Sequence, residues 1–492
     1  MLRLEFDRGT LLVHGQEEDL PADVVLPGCT FDRRVGRWRA PAWRYREVLT
    51  ALHRSGAEYE NTARGYEDLN TESLLVREPY PHQAEAVEAW WTGGRRGVVV
   101  LPTGAGKTYV AQLIIERIAK PALIVAPTLD LMQQWYGALS TAFDVPVGLV
   151  GGGYYEVEPL TVTTYDSAYI HMERFGNRFG LLVFDECHHL PGPTYATAAE
   201  LSLAPFRLGL TATPEREDGG EHVLTELVGP IVYRREIGEL AGSYLADYEI
   251  ITVKVRLSEA EEEAYHRERG IYRDFIAKYQ IRLGGRHGWS NFLRETSRSE
   301  EGRRAFLAYR AQRAIAQASD AKLRLLERLI AQHRHDRALI FTSDNETVYK
   351  ISRLFLIPAI THQTKVKERH ETLRRFNAGE YPFLVTSRVL NEGVDVPAAN
   401  VGIVLSGSGS VREHVQRLGR ILRRAEGKQA FLYEVIAEDT AEEMTSERRR
   451  QHGAYKRDEV ESSGDEEEKD SSGEESQETD ESEGSVSPGQ TV

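Results

Sequence analysis

The chain has 492 residues and a formal net charge of −15, a length beyond what one growing core supports, so two or three domains are expected. Its two cysteines, Cys29 and Cys187, exclude a disulfide framework and a C-x-x-C pair, and no run approaches the ~18 apolar residues that span a bilayer. A soluble protein of a reducing, cytoplasmic compartment is expected, since the charged start "MLRLEFDRGTLLVHG" has no secretory apolar core.

Residues 1–75 carry the short β-like runs "LRLEF", "TLLVHG" and "DVVLPG" and one helical stretch ending at Gly56, which predicts a small α+β module. Over 78–241 the texture changes to wholly apolar runs, "GVVVLPTG", "ALIVAPT", "LTVTTY", "GLLVFDE" and "RLGLTAT", alternating with helical patterns. Strands apolar on both faces belong in a parallel sheet covered by helices, so this is a doubly wound α/β domain. Residues 242–318 begin with strand-like "YEIITVKVRL" and then read as a basic helical insert, with twelve Lys and Arg against five Asp and Glu from Ala264 to Arg313. Such a face is either merely solvated or a grip for a phosphate backbone. Residues 319–445 repeat the apolar-strand texture and predict a second α/β domain. From Asp458 onward fourteen Asp and Glu face the single Lys469, a net of −13, so everything before that point carries about −2. So few apolar residues cannot offset the entropy of ordering, which predicts a disordered acidic tail over 446–492. It reads as a solubilising appendage, or more sharply as a nucleic-acid mimic or docking tail.

The segment 98–118, "VVVLPTGAGKTYVAQLIIERI", is a strand, a glycine-bearing loop and an amphipathic helix in that order. In the loop Thr103-Gly104-Ala105-Gly106 the glycines let backbone N–H groups curl into an anion nest; Lys107 can reach phosphates and Thr108 can bind Mg²⁺. Leu101 departs from the full G-x-x-x-x-G-K-[ST] pattern, which wants Gly there. A phosphate cradle needs a carboxylate at a neighbouring strand end, and Asp185 after "GLLVF" is such a residue, with Glu186 beside it to deprotonate the attacking water. The neighbouring "CHH" also admits a zinc reading, but adjacent strand-end residues point apart and no second ligand pair stands at metal spacing. In "HVQRLGRILRR", Gln416, Arg420 and Arg423 share a helical face, and Arg420 and Arg423 become candidate arginine fingers.

The series "YPHQAEAV", "LPTGAGKT", "APTLDLMQQW", "TTYDSA", "DECHH", "TATP", "FTSDN", "VTSRVLNEGVDVP" and "QRLGRILRR" resembles the ordered motifs of superfamily 2 helicases over residues 78–440. Arg216, Glu217 and Asp218 in "TATPEREDGG" resemble the R-E-D motif of the XPB family, the DNA translocases of nucleotide excision repair and transcription initiation. Pro214 stands where that branch commonly has Leu. The resemblance implies two RecA-like motor domains, an N-terminal damage-recognition-like module and a thumb-like insert. It implies that Gln83 reads the adenine of ATP, that Thr108 and Asp185 hold Mg²⁺, and that Gly393, Asp395 and Gln416 line the nucleotide from the second domain. His188 would couple the nucleotide to Thr211 and Thr213, and Arg216, Glu217 and Asp218 would form an unwinding wedge. Thr128, Thr163, Thr164, Thr386 and Ser387 would touch the nucleic-acid strand. The expected enzyme is a monomeric ATP-driven helicase on duplex DNA, forked or damaged, moving 3′ to 5′ with a nuclease or repair protein as partner. A nucleotide-gated DNA-binding module and an RNA helicase are the alternatives.

Overall fold

The computed structural model describes residues 1–15, 25–34, 36–71, 73–74, 76–216, 219–283, 288–387, 399–407 and 429–450. The N-terminal module comprises β1 (Leu2–Asp7), β2 (Thr10–His14), β3 (Thr30–Asp32), β4 (Arg37–Pro41), α1 (Tyr45–Ser55) and β5 (Tyr59–Asn61). Its strands lie in the order β3-β4-β2-β1-β5, and alternation along β1 sends Leu2 and Leu4 into a core with Val48 and Leu52 of α1. Gly9 turns β1 into β2 at φ +81°, where an added Cβ would stand 2.3 Å from Leu201 Cδ2. Leu203 completes the same core, so the module is docked on the domain that follows.

That domain starts with α2 (Pro81–Thr92), β6 (Arg96–Val100), α3 (Lys107–Ile118), β7 (Ala122–Ala126) and α4 (Leu129–Ala142). Next come β8 (Val147–Gly151), β9 (Tyr154–Tyr155), β10 (Leu160–Thr164), α5 (Tyr165–Phe175) and β11 (Leu181–Asp185). It ends with α6 (Pro193–Glu200), β12 (Phe206–Thr211), α7 (Glu221–Leu227), β13 (Ile231–Arg234) and α8 (Ile237–Leu240). The sheet order is β13-β6-β12-β11-β7-β10-β8-β9, parallel except for the β8–β9 edge. β7, β10 and β11 are buried at every position, as strands covered on both faces must be.

The second α/β domain contains β14 (Asp247–Val255), helices α9 (Glu259–Lys278), α10 (Gly288–Thr296), α11 (Glu300–Gln317) and α12 (Asp320–Gln332), then β15 (Ala338–Phe341) and α13 (Asn345–Phe355). It continues through β16 (Ala359–Ile360), α14 (Val366–Asn377), β17 (Phe383–Thr386), β18 (Val401–Val404), β19 (Gln429–Ala437) and α15 (Ala441–Arg450). Its parallel sheet runs β14-β19-β18-β15-β17-β16. This corrects the expected insert boundary at residue 242: β14 pairs with β19 over nine residues and belongs to the second sheet. Its alternating burial is that of an edge strand, which is why the run reads differently from the inner strands. The insert is therefore α9 to α11, packed through Phe275, Phe292 and Ala305 and rooted by Tyr265 and Ala316 against Ala437 of β19. The two α/β domains meet where Arg369 of α14 donates to Asp130 of α4 at 2.7 Å, both side chains mostly buried. No helix among the described residues is long and apolar enough to cross a membrane.

Candidate nucleotide-binding and coupling site

In a parallel sheet all strands end on the same side, so their following loops collect along one edge. The neighbours β6, β12, β11, β7 and β10 deliver to that edge the loop 101–106, Thr211, Asp185, Thr128 and Thr164 respectively. Motifs scattered over more than a hundred residues of sequence thereby become adjacent.

Gly104 and Gly106 adopt φ +89° and +86°, the left-handed region in which glycine carries no Cβ strain. Gly106 is the N-cap of α3, and a Cβ there would stand 2.2 Å from Gln83 Nε2, so a side chain at this position would have to displace the Gln83 amide. Lys107 Nζ lies 3.3 Å from the Leu101 carbonyl and 3.7 Å from Glu186 Oε1. The Leu101 departure is explained as well: its side chain is fully buried in the core and its N–H bonds the Thr211 carbonyl at 3.0 Å, so no glycine is needed there. Gln83 is placed against the loop instead of an open base site. Its Oε1 accepts from Tyr80 N at 3.0 Å and its Nε2 donates to Ala105 O at 3.0 Å, so reading an adenine requires exchanging these bonds.

Asp185 ends β11 and is 7% exposed. Trp135 Nε1 donates to its Oδ2 at 2.8 Å and Glu186 N donates to its Oδ1 at 3.1 Å. Burial, and then the Glu186 charge, push its carboxyl up from 3.8 to about 6. A folded-state value above the unfolded one means that stability is greatest below pH 3.8 and declines as the pH rises to about 6. Asp185→Asn keeps an acceptor for Trp135 and removes this cost. Without nucleotide, its melting temperature is expected to exceed that of the parent by several degrees, about 3–6 °C, at pH 8 and to match it near pH 4. A pH-independent difference in scanning calorimetry would show that charge is not the cause.

Glu186 adopts φ +45° and ψ +54°, a left-handed conformation that costs a non-glycine residue about 1–3 kcal/mol and here turns the carboxylate toward the loop. Its Oε2 lies 3.5 Å from His188 Nδ1 and 3.4 Å from Thr211 Oγ1. His188, fully buried, bonds Thr211 Oγ1 at 3.0 Å, and Thr213 N donates to the same oxygen at 3.1 Å. Arg216 donates its guanidinium to the His188 carbonyl, which ties the segment after Thr213 back to the Asp185–His189 turn. Sequence reasoning missed Trp135; a buried indole on an apolar helix face needs an acceptor, and that was the available signal.

In the Cys187–His189 single turn the two imidazoles pack on one another, ring centroids 4.4 Å apart, while Cys187 lies against Gly209. The position of Gly209 is 3.0 Å from Cys187 Sγ by an added Cβ, His188 faces Thr211, and the His189 ring lies 6.0 Å from Tyr165. The burial of Cys187 raises its thiol pKa well above the usual range. Among the described residues no group of three or more His, Cys, Asp and Glu side chains is placed to hold a metal ion, so the zinc reading finds no ligand set here.

The expected strand contacts divide. Thr163 and Thr386 are fully buried, with Thr163 Oγ1 donating to Val150 O at 2.8 Å, so in this conformation neither can touch a nucleic-acid backbone. They lie one residue too deep in β10 and β17. Thr128 and Thr164 cap α4 and α5, accepting from Leu131 N and Ser167 N at 3.2 Å each, and Ser387 donates to Asn345 Oδ1 at 2.8 Å. Glu217, Asp218, Gly393, Asp395, Gln416, Arg420 and Arg423 lie outside the described residues.

Three family models match: "Type III restriction enzyme, res subunit" over residues 77–216, "Helicase conserved C-terminal domain" over 321–425, and "Xeroderma pigmentosum group B helicase damage recognition domain" over 4–63. The chain is 38% identical to the DNA 3'-5' translocase XPB2 of Sulfurisphaera tokodaii, over 92% of this chain and 100% of that protein. The chain belongs to the XPB family of ATP-dependent helicases. Within the XPB family it is also 30% identical to the DNA 3'-5' helicase XPB of Mycobacterium tuberculosis, covering 75% of this chain and 62% of that one. The crystal structure of the Pyrococcus furiosus Hef helicase domain shares the fold, with a TM-score of 0.50 at 20% identity over 75% of this chain and 98% of the other.

Proposed function

We propose that this XPB-family member is a DNA translocase that couples hydrolysis of Mg²⁺-bound ATP to 3′ to 5′ movement on duplex DNA. The observation that carries the reading is the shared position of Glu186, whose carboxylate is 3.7 Å from Lys107 on one side and 3.5 Å from His188 on the other. A group that meets both the phosphate loop and the segment leading to Arg216 can report the state of the nucleotide to the rest of the domain.

The donor set suits a phosphate and a hard cation: two left-handed glycines shape an N–H cradle, and two mostly buried carboxylates face one lysine. Thr108 and Asp185 would hold Mg²⁺, which when bound neutralises charge on the transferring phosphoryl. The chain's own work is positional. Lys107 holds the phosphates against the loop, Glu186 orients a water and takes its proton, and the Asp185 carboxylate stays fixed by Trp135.

The arginine-rich insert and the hydroxyls of Thr128, Thr164 and Ser387 are the proposed backbone contacts, and the N-terminal module is the proposed reader of distorted DNA. Gly393, Asp395 and Gln416, with Arg420 and Arg423 as fingers, are proposed to complete the nucleotide site from the second motor. A nuclease or repair protein is the proposed class of partner. ATP turnover should be measured with duplex DNA, single-stranded DNA and RNA, alongside displacement of a triplex third strand. Stimulation by duplex DNA together with third-strand displacement is expected; equal stimulation by RNA, or turnover without displacement, would defeat the reading.

A further inference from the structure

We propose that the acidic segment 458–492 docks on the arginine face of the α9–α11 insert and competes there with the DNA backbone. The competition rests on the reading of that insert as a backbone grip; the docking does not.

Three of the five carboxylates between Ala264 and Arg313 are held in ion pairs by the insert's own cations. Glu268 is taken by Arg304 in two bonds of 2.7 and 2.9 Å, Glu301 by Lys278 at 2.8 Å, and Glu295 by Arg298 at 2.8 Å. Among the described residues Arg269, Arg273, Arg282, Arg303, Arg310 and Arg313 have no carboxylate within 4.0 Å. Six guanidinium groups without a counter-charge, two on α9, one just after it and three on α11, attract a polyanion, and the chain carries one of its own, with a net of −13 over 458–492.

α15, the helix from which the tail departs, packs at the root of the insert, where Ala441 N donates to the Tyr265 hydroxyl at 2.9 Å. A cleft of about 340 Å³ between them is lined by Arg269 and Arg313 from the insert and by Glu442 and Thr445 from α15. Asp458 follows Arg450 by eight residues, a span of at most ~29 Å. The eighteen residues of α11 measure about 27 Å, so the acidic run can lie along the whole face. Tethering sets its effective concentration near the millimolar range, enough for weak contacts to compete with DNA. A tail that only solubilises would show no preference for this face.

The test uses the full chain. Spin labels at Ser476→Cys and Ser290→Cys, in a Cys29→Ser background, report the tail-to-insert distance by pulsed electron resonance without DNA. A short, narrow distribution is expected at about 50 mM salt, broadening at about 1 M and in a variant with Arg269, Arg273, Arg310 and Arg313 all replaced by Gln. Distributions unchanged by salt and by those replacements would overturn the docking. In parallel, converting the fourteen tail carboxylates to amides is expected to tighten duplex-DNA binding about 10-fold at the lower salt and less than about 2-fold at the higher. Labels that approach while DNA affinity stays constant would overturn the competition and locate the fault in the backbone-grip reading. A tightening that persists in the insert variant would overturn it too, by assigning the effect to general repulsion.

Discussion

Replacing Glu186 by Gln is expected to lower the DNA-stimulated turnover of ATP about 10³-fold while nucleotide still binds, within the range that a positioned general base contributes. The substitution is nearly isosteric and keeps an oxygen near Thr211, so the left-handed turn at φ +45° has every reason to persist. What disappears is the proton acceptor and the charge that draws Lys107 to 3.7 Å. Release of Lys107 toward the phosphates makes an unchanged or lower Kd for ATP the expected companion result. Lys107→Ala should do the reverse and weaken binding itself, because it removes the ammonium that stands 3.3 Å from the Leu101 carbonyl at the loop. Rapid-quench turnover and equilibrium binding of a fluorescent ATP analogue separate the two effects. Turnover of the Gln variant within about threefold of the parent would remove Glu186 from the chemistry.

How much of this was legible in the sequence depended on whether a residue's role is set locally. The strand-loop-helix at 96–118 was legible because a wholly apolar run, two glycines and a helical period meet within one segment. Asp185 and Glu186 were legible as the polar end of "GLLVF". The boundary at β14 was not, because its partner β19 lies about 180 residues away and edge-strand alternation resembles that of any half-buried strand. Depth was also hidden: in "TTYDSA", Thr163 and Thr164 look equivalent, yet the strand continues through the first and the helix cap falls on the second. Gln83 shows the same limit, since nothing local says that its amide is occupied by Tyr80 and Ala105.

The second large effect concerns His188. His188→Ala is expected to leave basal ATP turnover within about threefold but to lower third-strand displacement per ATP at least about 10-fold. The imidazole is fully buried between Glu186 and Thr211, and Arg216 grips the backbone carbonyl of the same residue, so one side chain and one peptide group link the nucleotide edge to the segment that follows Thr213. Removing the ring leaves the Thr211 hydroxyl with Thr213 at 3.1 to 3.2 Å and a longer bond of 3.4 Å to Glu186 Oε2, and opens a cavity. The stability cost, about 1–3 kcal/mol for a lost buried hydrogen bond and its packing, is modest for a domain with an eight-stranded sheet. A purely structural role predicts equal losses in both activities together with a lower melting temperature. A coupling role predicts loss of movement alone, and partial recovery in His188→Gln, whose amide can still bond the hydroxyl. Equal loss of turnover and displacement, unrepaired by Gln, would reduce His188 to packing. Movement retained by the Ala variant would break the proposed route from Glu186 to Arg216.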